Sequence, residues 1–136
     1  MTEQELQAQV ADYLRLRYPS VLFHSDFGSG IKLTMGQAIK QKRLNGGRRS
    51  WPDMFIAEPK AKTVDRSTNT QRFYSGLFIE LKKPGTRILT RKGTLVSNEH
   101  IREQFDMLES LRQAGYKAEF AIGFDEAKNI IDEYLR

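Results

Sequence analysis

Trp51-Pro52-Asp53-Met54-Phe55-Ile56, followed across a polar insertion by Gly76-Leu77-Phe78-Ile79-Glu80-Leu81-Lys82-Lys83, reads as two apolar strands that each carry a carboxylate. Side chains alternate across a strand, so Phe78, Glu80 and Lys82 share one face of the second run while Leu77, Ile79 and Leu81 share the other. One face is hydrophobic; the other sets a carboxylate beside an amine. An Asp at the start of one strand and a Glu-x-Lys on its neighbour make a plausible divalent-cation site with a fixed positive charge next to it. The ordinary alternative is a surface cross-strand pair, with Pro52-Asp53 as a turn. Both halves lie on strand-like apolar runs, where a charge at the strand centre needs a reason.

Upstream of these strands, residues 2 to 18 carry Leu6, Val10, Tyr13 and Leu14 at helical spacing, with a Thr2/Glu5 capping box and Pro19 as the stop. Val21 to His24 reads as a short strand entering the glycine loop Asp26-Phe27-Gly28-Ser29-Gly30. Thr34 caps a basic helix through about Leu44, stopped by Asn45-Gly46-Gly47. Between the central strands, Pro59 to Gln71 is polar and suits a solvated, flexible hairpin tip. Downstream, Ile88 to Val96 reads as a small basic hairpin around Lys92-Gly93, or as plain loop. Asn98 to Ala114 is a helix with Ile101, Phe105, Leu108 and Leu111 on one stripe, ended by Gly115. Tyr116 to Phe124 alternates as a strand, and a last helix follows with Asp125 at its cap and Ala127, Ile130, Ile131 and Leu135 inward.

The predicted order is helix, strand, helix, strand, strand, helix, strand, helix, in one domain over 1–136. That is an α/β fold with a mixed central sheet flanked by helices. The short polar connection makes the two central strands antiparallel, and a helical crossover makes the Glu-x-Lys strand parallel to the strand at Tyr116.

The formal charge is +5, with Lys40, Lys42, Arg43, Arg48 and Arg49 in one cluster and Lys82, Lys83, Arg87, Arg91 and Lys92 in a second. This favours a polyanionic partner over a merely solubilising surface. With no cysteine, disulfide frameworks, thiolate metal sites and cysteine nucleophiles are excluded, and a reducing cytoplasmic compartment is expected. No run is long enough to span a membrane, and the polar, acidic start is unlike a signal peptide.

Mg²⁺ takes oxygen ligands, commonly one or two carboxylates completed by phosphate oxygens and water. Asp53 and Glu80 supply that pair. Lys82 is read as a protonated cation that orients the nucleophile and offsets transition-state charge, since two nearby carboxylates oppose its deprotonation. Gln104, three residues after Ile101 and four before Leu108, turns toward the core side of its helix. Trp51 packs in the core or stacks on a base, with core favoured. His24 reads as a core histidine, and His100 is assigned no role.

Asp53 with Glu80-Leu81-Lys82 resembles the PD-(D/E)xK nuclease signature. The surroundings are similar to the virus-type replication-repair nuclease (VRR-NUC) domain in its stand-alone phage form: a basic helix and glycine turn before Pro-Asp, Ile79-Glu80-Leu81-Lys82-Lys83-Pro84-Gly85, and a helix bearing Gln104 that ends in Ala114-Gly115-Tyr116. One departure is that Ser50-Trp51 stands where a glycine often precedes Pro-Asp.

The resemblance implies a restriction-endonuclease-like core and Mg²⁺-dependent hydrolysis of DNA phosphodiesters, Mn²⁺ substituting, with selectivity for branched DNA such as flaps or Holliday junctions. It implies catalytic roles for Asp53, Glu80, Lys82 and Gln104, with the metal held by Asp53, Glu80 and the Leu81 carbonyl. It also implies an acidic ligand from the first helix, for which Glu5 is the candidate despite its capping position. DNA contacts are expected from Lys40, Lys42, Arg43, Arg48, Arg49, Lys83, Arg87, Arg91 and Lys92. Cutting both strands of a junction requires two sites, so a homodimer is expected. The alternative is a non-catalytic DNA-binding module using the same basic surface.

Overall fold

Pro52 has no backbone N–H, so the first central strand cannot pair before it, and β2 spans only Met54–Ile56. The structure, a computed structural model, describes residues 1–27, 32–65, 67 and 70–136. The glycine-loop residues 28–31 and the tip positions 66, 68 and 69 lie outside the described residues. The elements are α1 (Glu3–Arg17), β1 (Phe23–Ser25), α2 (Met35–Leu44), β2, β3 (Lys60–Asp65), β4 (Thr70–Tyr74), β5 (Leu77–Lys82), α3 (Glu99–Gln113), β6 (Lys117–Ile122) and α4 (Gly123–Leu135).

The main sheet has the order β1-β2-β5-β6. β2 runs antiparallel to β1 and to β5, while β5 and β6 are parallel. The register of Met54 with Ile79 and of Ile56 with Leu77 ends β2 two residues short of Leu81. Alternation then sorts the side chains. Met54, Ile56, Leu77, Ile79 and Leu81 join Leu6, Val10 and Leu14 of α1 and Ala127, Ile131 and Leu135 of α4 in one buried cluster. Phe78 and Phe120 pack on the other face against Met107, Leu108 and Leu111 of α3. Helices α1 and α4 therefore cover one face and α3 the other, the restriction-endonuclease-like α/β arrangement expected from the sequence.

Several element ends follow their local chemistry. The Thr2/Glu5 capping box forms, as does a second one made by Thr34 and Gln37. Asn98 caps α3 by accepting from Ile101 N–H, and Gly115 takes the left-handed φ of 101° that stops it. Asp125 is not the cap of α4. β6 runs into the helix with no loop, Ile122 occupies the cap position, and the Glu126 carboxylate accepts from the Ile122 N–H.

The insertion between the central strands is more ordered than a bare tip. It forms β3 and β4, two further strands paired as a separate sheet with a register shift at Ala61/Thr63. Phe73 and Tyr74 supply aromatic content that suits such a ribbon. The segment after β5 turns back on itself at Lys92-Gly93: Leu89 bridges Leu95 antiparallel, Thr90 N–H donates to the Thr94 carbonyl and Val96 N–H to the Ile88 carbonyl, so of the two alternatives it is the small hairpin. His24 is exposed on the edge strand β1 and is not a core histidine.

Candidate active site

Asp53 and Phe55 alternate with Met54 and so project to the α3 face of the sheet, where Phe55 stacks on Phe78 at 4.5 Å. β5 continues beyond β2, which leaves the Leu81 N–H without a strand partner. The Asp53 side chain fills that place, its Oδ2 accepting from Leu81 N–H at 2.7 Å. In an extended strand the N–H and C=O of one residue face the same neighbour. The Leu81 carbonyl therefore opens toward the Asp53 side as well.

Glu80 lies on the same face, and the helix above reaches it. Gln104 Nε2 donates to Glu80 Oε1 at 2.7 Å, with Gln104 itself buried. A side-chain hydrogen bond also links Glu80 to Asp53. Glu80 is 4% exposed and Lys82 6%, so the alternative of a surface cross-strand pair fails. Burial pushes the Glu80 carboxyl well above the usual carboxylate range; the Asp53 charge adds to the rise, Lys82 works against it, and the Asp53 hydrogen bond and the Glu3 charge add further. Two carboxyls this close and this dry do not both ionise without a compensating cation.

These groups open into a cleft of about 600 Å³ lined by Asp26, Trp51, Asp53 and Glu80, by His100 and Gln104 of α3, and by α2 and the segment after it. The donors fit a hard cation: two carboxylates and a strand carbonyl, with a buried Gln104 Oε1 that has no hydrogen-bond partner. Among the described residues no group of three or more His, Cys, Asp or Glu side chains is placed to hold a metal ion by itself. A cation held here would draw on Asp53, Glu80 and the Leu81 carbonyl, completed by water or phosphate oxygens.

The structure thus brings Asp53, Glu80, Leu81, Lys82 and Gln104 into one neighbourhood. It does not bring Glu5, which is exposed and spends its carboxylate on the capping box, accepting from Thr2 N–H at 2.7 Å. Glu3, two residues earlier and half-buried, is the α1 carboxylate whose charge reaches Glu80. Of the nine predicted DNA contacts, Lys42, Arg48 and Arg49 line the cleft. Lys40 and Arg43 are exposed on α2, while Lys83, Arg87, Arg91 and Lys92 are exposed beyond β5, outside the cleft lining.

Sequence reasoning passed over three further neighbours. Asp26 N–H donates to the Asp53 carbonyl at 2.8 Å, and Gln7 of α1 donates to the Asp26 carbonyl; no sequence signal distinguished Asp26 from any loop aspartate. His100 Nε2 lies 3.2 Å from Gln104 Nε2, an i, i+4 pair that helical spacing could have revealed. Trp51 is 39% exposed and lines the cleft, so the core placement favoured from the sequence is overturned.

Among solved structures the chain is similar to one described as a VRR_NUC domain protein. The two are 25% identical, the match covers 99% of this chain and 88% of the other, and the TM-score is 0.62. No protein-family model matches the chain, and no curated protein matches it significantly.

Proposed function

We propose that this chain, which folds as a VRR-NUC domain and so belongs with a nuclease family, is a Mg²⁺-dependent endonuclease that hydrolyses DNA phosphodiesters, with Mn²⁺ able to substitute. The observation that carries the reading is the buried, hydrogen-bonded Asp53–Glu80 pair beside Lys82, with the Glu80 carboxyl pushed up. A structural ion pair would be arranged to cancel charge. Here two acids share one dry corner of a cleft flanked by exposed cations.

The Leu81 N–H fixes one oxygen of Asp53, and Gln104 fixes one oxygen of Glu80. Both carboxylates are therefore preorganised. When bound, the cation would supply Lewis acidity toward a phosphoryl oxygen and raise the acidity of water. Lys82, buried beside Glu80, holds positive charge where the phosphorane charge develops, the kind of fixed electrostatic support that strengthens in a water-poor site. Lys42, Arg48 and Arg49 draw the phosphate backbone into the cleft, and Lys40, Arg43, Lys83, Arg87, Arg91 and Lys92 extend the attraction along the duplex arms. Branched DNA, a flap or Holliday junction, is the proposed substrate. A homodimer would supply the second site that paired cuts require.

Incubation of supercoiled, linear and branched DNA with Mg²⁺, Mn²⁺ or EDTA tests this. Metal-dependent nicking, abolished in Glu80→Ala and Asp53→Ala, is expected. Salt-sensitive binding without products, unchanged by metal or by either substitution, would favour a non-catalytic DNA-binding module instead. Sedimentation giving only monomer while both junction strands are cut would overturn the dimer.

A further inference from the structure

Helix α2 buries none of its residues, yet it is not a uniformly polar helix. Met35, Ala38, Ile39 and Lys42 recur at i, i+3, i+4 and i+7 and all line the cleft. Met35 is 82% and Ile39 64% exposed, so this apolar stripe is left largely open in the cleft lining. Trp51 lines the same cleft, backed by Phe78 with ring centroids 6.3 Å apart. Phe78 is held in turn by Phe55 at 4.5 Å and Tyr116 at 5.1 Å. The indole is thus braced from behind, with part of its surface left open. Exposed apolar side chains gathered in the lining of one cleft mark a binding surface.

The backbone at this point is also committed. Ser50, directly before Trp51, has φ 64°, a left-handed conformation that side-chain-bearing residues adopt at a cost, and its hydroxyl donates to Glu103 of α3. The strained turn sets the direction in which Trp51 leaves the chain, two residues before Asp53.

Aromatic and apolar surfaces interleaved with cations are how proteins hold unstacked nucleotides: the phosphates meet Lys or Arg, and a base lies on the aromatic face. Lys42, Arg48 and Arg49 supply the cations here. We infer that the part of the cleft lined by Trp51 and the Met35/Ile39 stripe is a base-stacking subsite that takes one unpaired nucleobase of a DNA strand next to the Asp53–Glu80 pair. A base inside an intact duplex shows only its edges in the grooves, so stacking on Trp51 demands a base already free of its neighbours or flipped out. The inference rests on the nuclease reading and narrows its substrate to strands with an unpaired nucleotide at the cut, such as a flap or branch point.

Trp51 is the only tryptophan in the chain, so its emission reports this subsite alone. The protein in EDTA is titrated with an unpaired oligothymidylate, a duplex bearing a single-stranded flap, and a blunt duplex, while anisotropy of a labelled strand reports binding. Quenching of Trp51 by the first two at saturation, absent with the blunt duplex, is expected. In Trp51→Ala and in Met35→Ala/Ile39→Ala, the preference for flap over blunt duplex should fall on the order of tenfold, a loss that base–aromatic stacking commonly produces on alanine substitution. Equal quenching by the blunt duplex, or binding of the flap with no quench and no change in preference in either variant, would overturn the stacking subsite and leave the nuclease reading standing. Failure of every DNA to bind would overturn both. Absence of metal-dependent cleavage, with quenching intact, would overturn only the nuclease reading.

Discussion

Replacing Glu80 by glutamine should stabilise the metal-free protein at alkaline pH and abolish its response to divalent cations. In the wild type, burial, the Asp53 charge and the hydrogen bond to Asp53 hold the Glu80 carboxyl well above its ordinary 4.5 against the pull of Lys82. The folded protein therefore keeps a proton that the unfolded chain gives up. Stability contributed by that proton is complete below the unfolded pKa and is lost as pH rises through the raised folded value. The slope within that window approaches on the order of 1 kcal/mol per pH unit for one proton. Unfolding entropy of roughly 2.1 cal/mol/K per residue over 136 residues gives about 300 cal/mol/K, so 1 kcal/mol moves the midpoint by about 3–4 °C. Mg²⁺ at a hundred times its dissociation constant would add roughly 3 kcal/mol, or about 10 °C, by mass action. Thermal unfolding from pH 5 to 9, in EDTA and in Mg²⁺, reads both effects. Wild type should lose Tm with rising pH in EDTA and recover it with Mg²⁺. Glu80→Gln, whose side-chain oxygen can still accept from Gln104, should show neither. A wild-type Tm in EDTA that is flat or rising across this range, or a Mg²⁺ shift retained in Glu80→Gln, would refute the reasoning.

Three further outcomes follow from packing and charge. A Cβ on Gly76 would stand 2.7 Å from Phe55 Cε2 and 2.9 Å from the Ile56 carbonyl oxygen; since the second is strand backbone and cannot move aside, Gly76→Ala should cost about 2–3 kcal/mol in a denaturant melt. Ser50→Val, which forces a β-branched residue into the left-handed region, should cost about 1–2 kcal/mol, while Ser50→Gly should stay near wild type in the same melt. For Asp132, burial works to raise the carboxyl, but the hydroxyls of Tyr13 and Tyr18 and the Lys128 amine outweigh it and hold the group down to about 2. Its contribution is present above about pH 4 and lost as pH falls through about 2, so Asp132→Asn should flatten the acid limb of stability followed by circular dichroism.

What the sequence made legible was whatever depends on period. Alternation placed Glu80 and Lys82 opposite Leu77, Ile79 and Leu81, and helical spacing turned Gln104 inward, where it meets Glu80. Caps at Thr2 and Thr34 are local hydrogen bonds and were equally readable. Tertiary distance was not. Glu3 and Glu5 look alike in a helical first turn, but only the docking of α1 decides that Glu3 acts on Glu80 while Glu5 closes the capping box. Trp51 looked like core by residue type, yet it is 39% exposed and follows a left-handed Ser50 that no propensity encodes. The β3–β4 ribbon hid behind polar composition, because a two-stranded sheet that covers little core needs no hydrophobic alternation. Asp125 looked like a cap only because the direct run of β6 into α4 could not be foreseen.

The shortness of β2 creates the site. A strand of only three residues beside a β5 of six leaves the carboxyl end of β5 without a partner on one edge, and an open N–H there would be costly to bury. Asp53 resolves this by turning its side chain into the missing rung. That same turn draws its carboxylate against Glu80, whose position is set by strand alternation and whose second contact comes from α3. Had β2 begun two residues earlier, Leu81 would have paired with backbone and Asp53 would have had no structural reason to approach Glu80. Pro52, which cannot donate to a ladder, prevents that extension. The Pro-Asp dipeptide therefore works as a unit: the proline ends the sheet, and the aspartate occupies the gap that the ending leaves. The unfavourable proximity of two acids is then a consequence of satisfying the backbone, and a bound cation would relieve it.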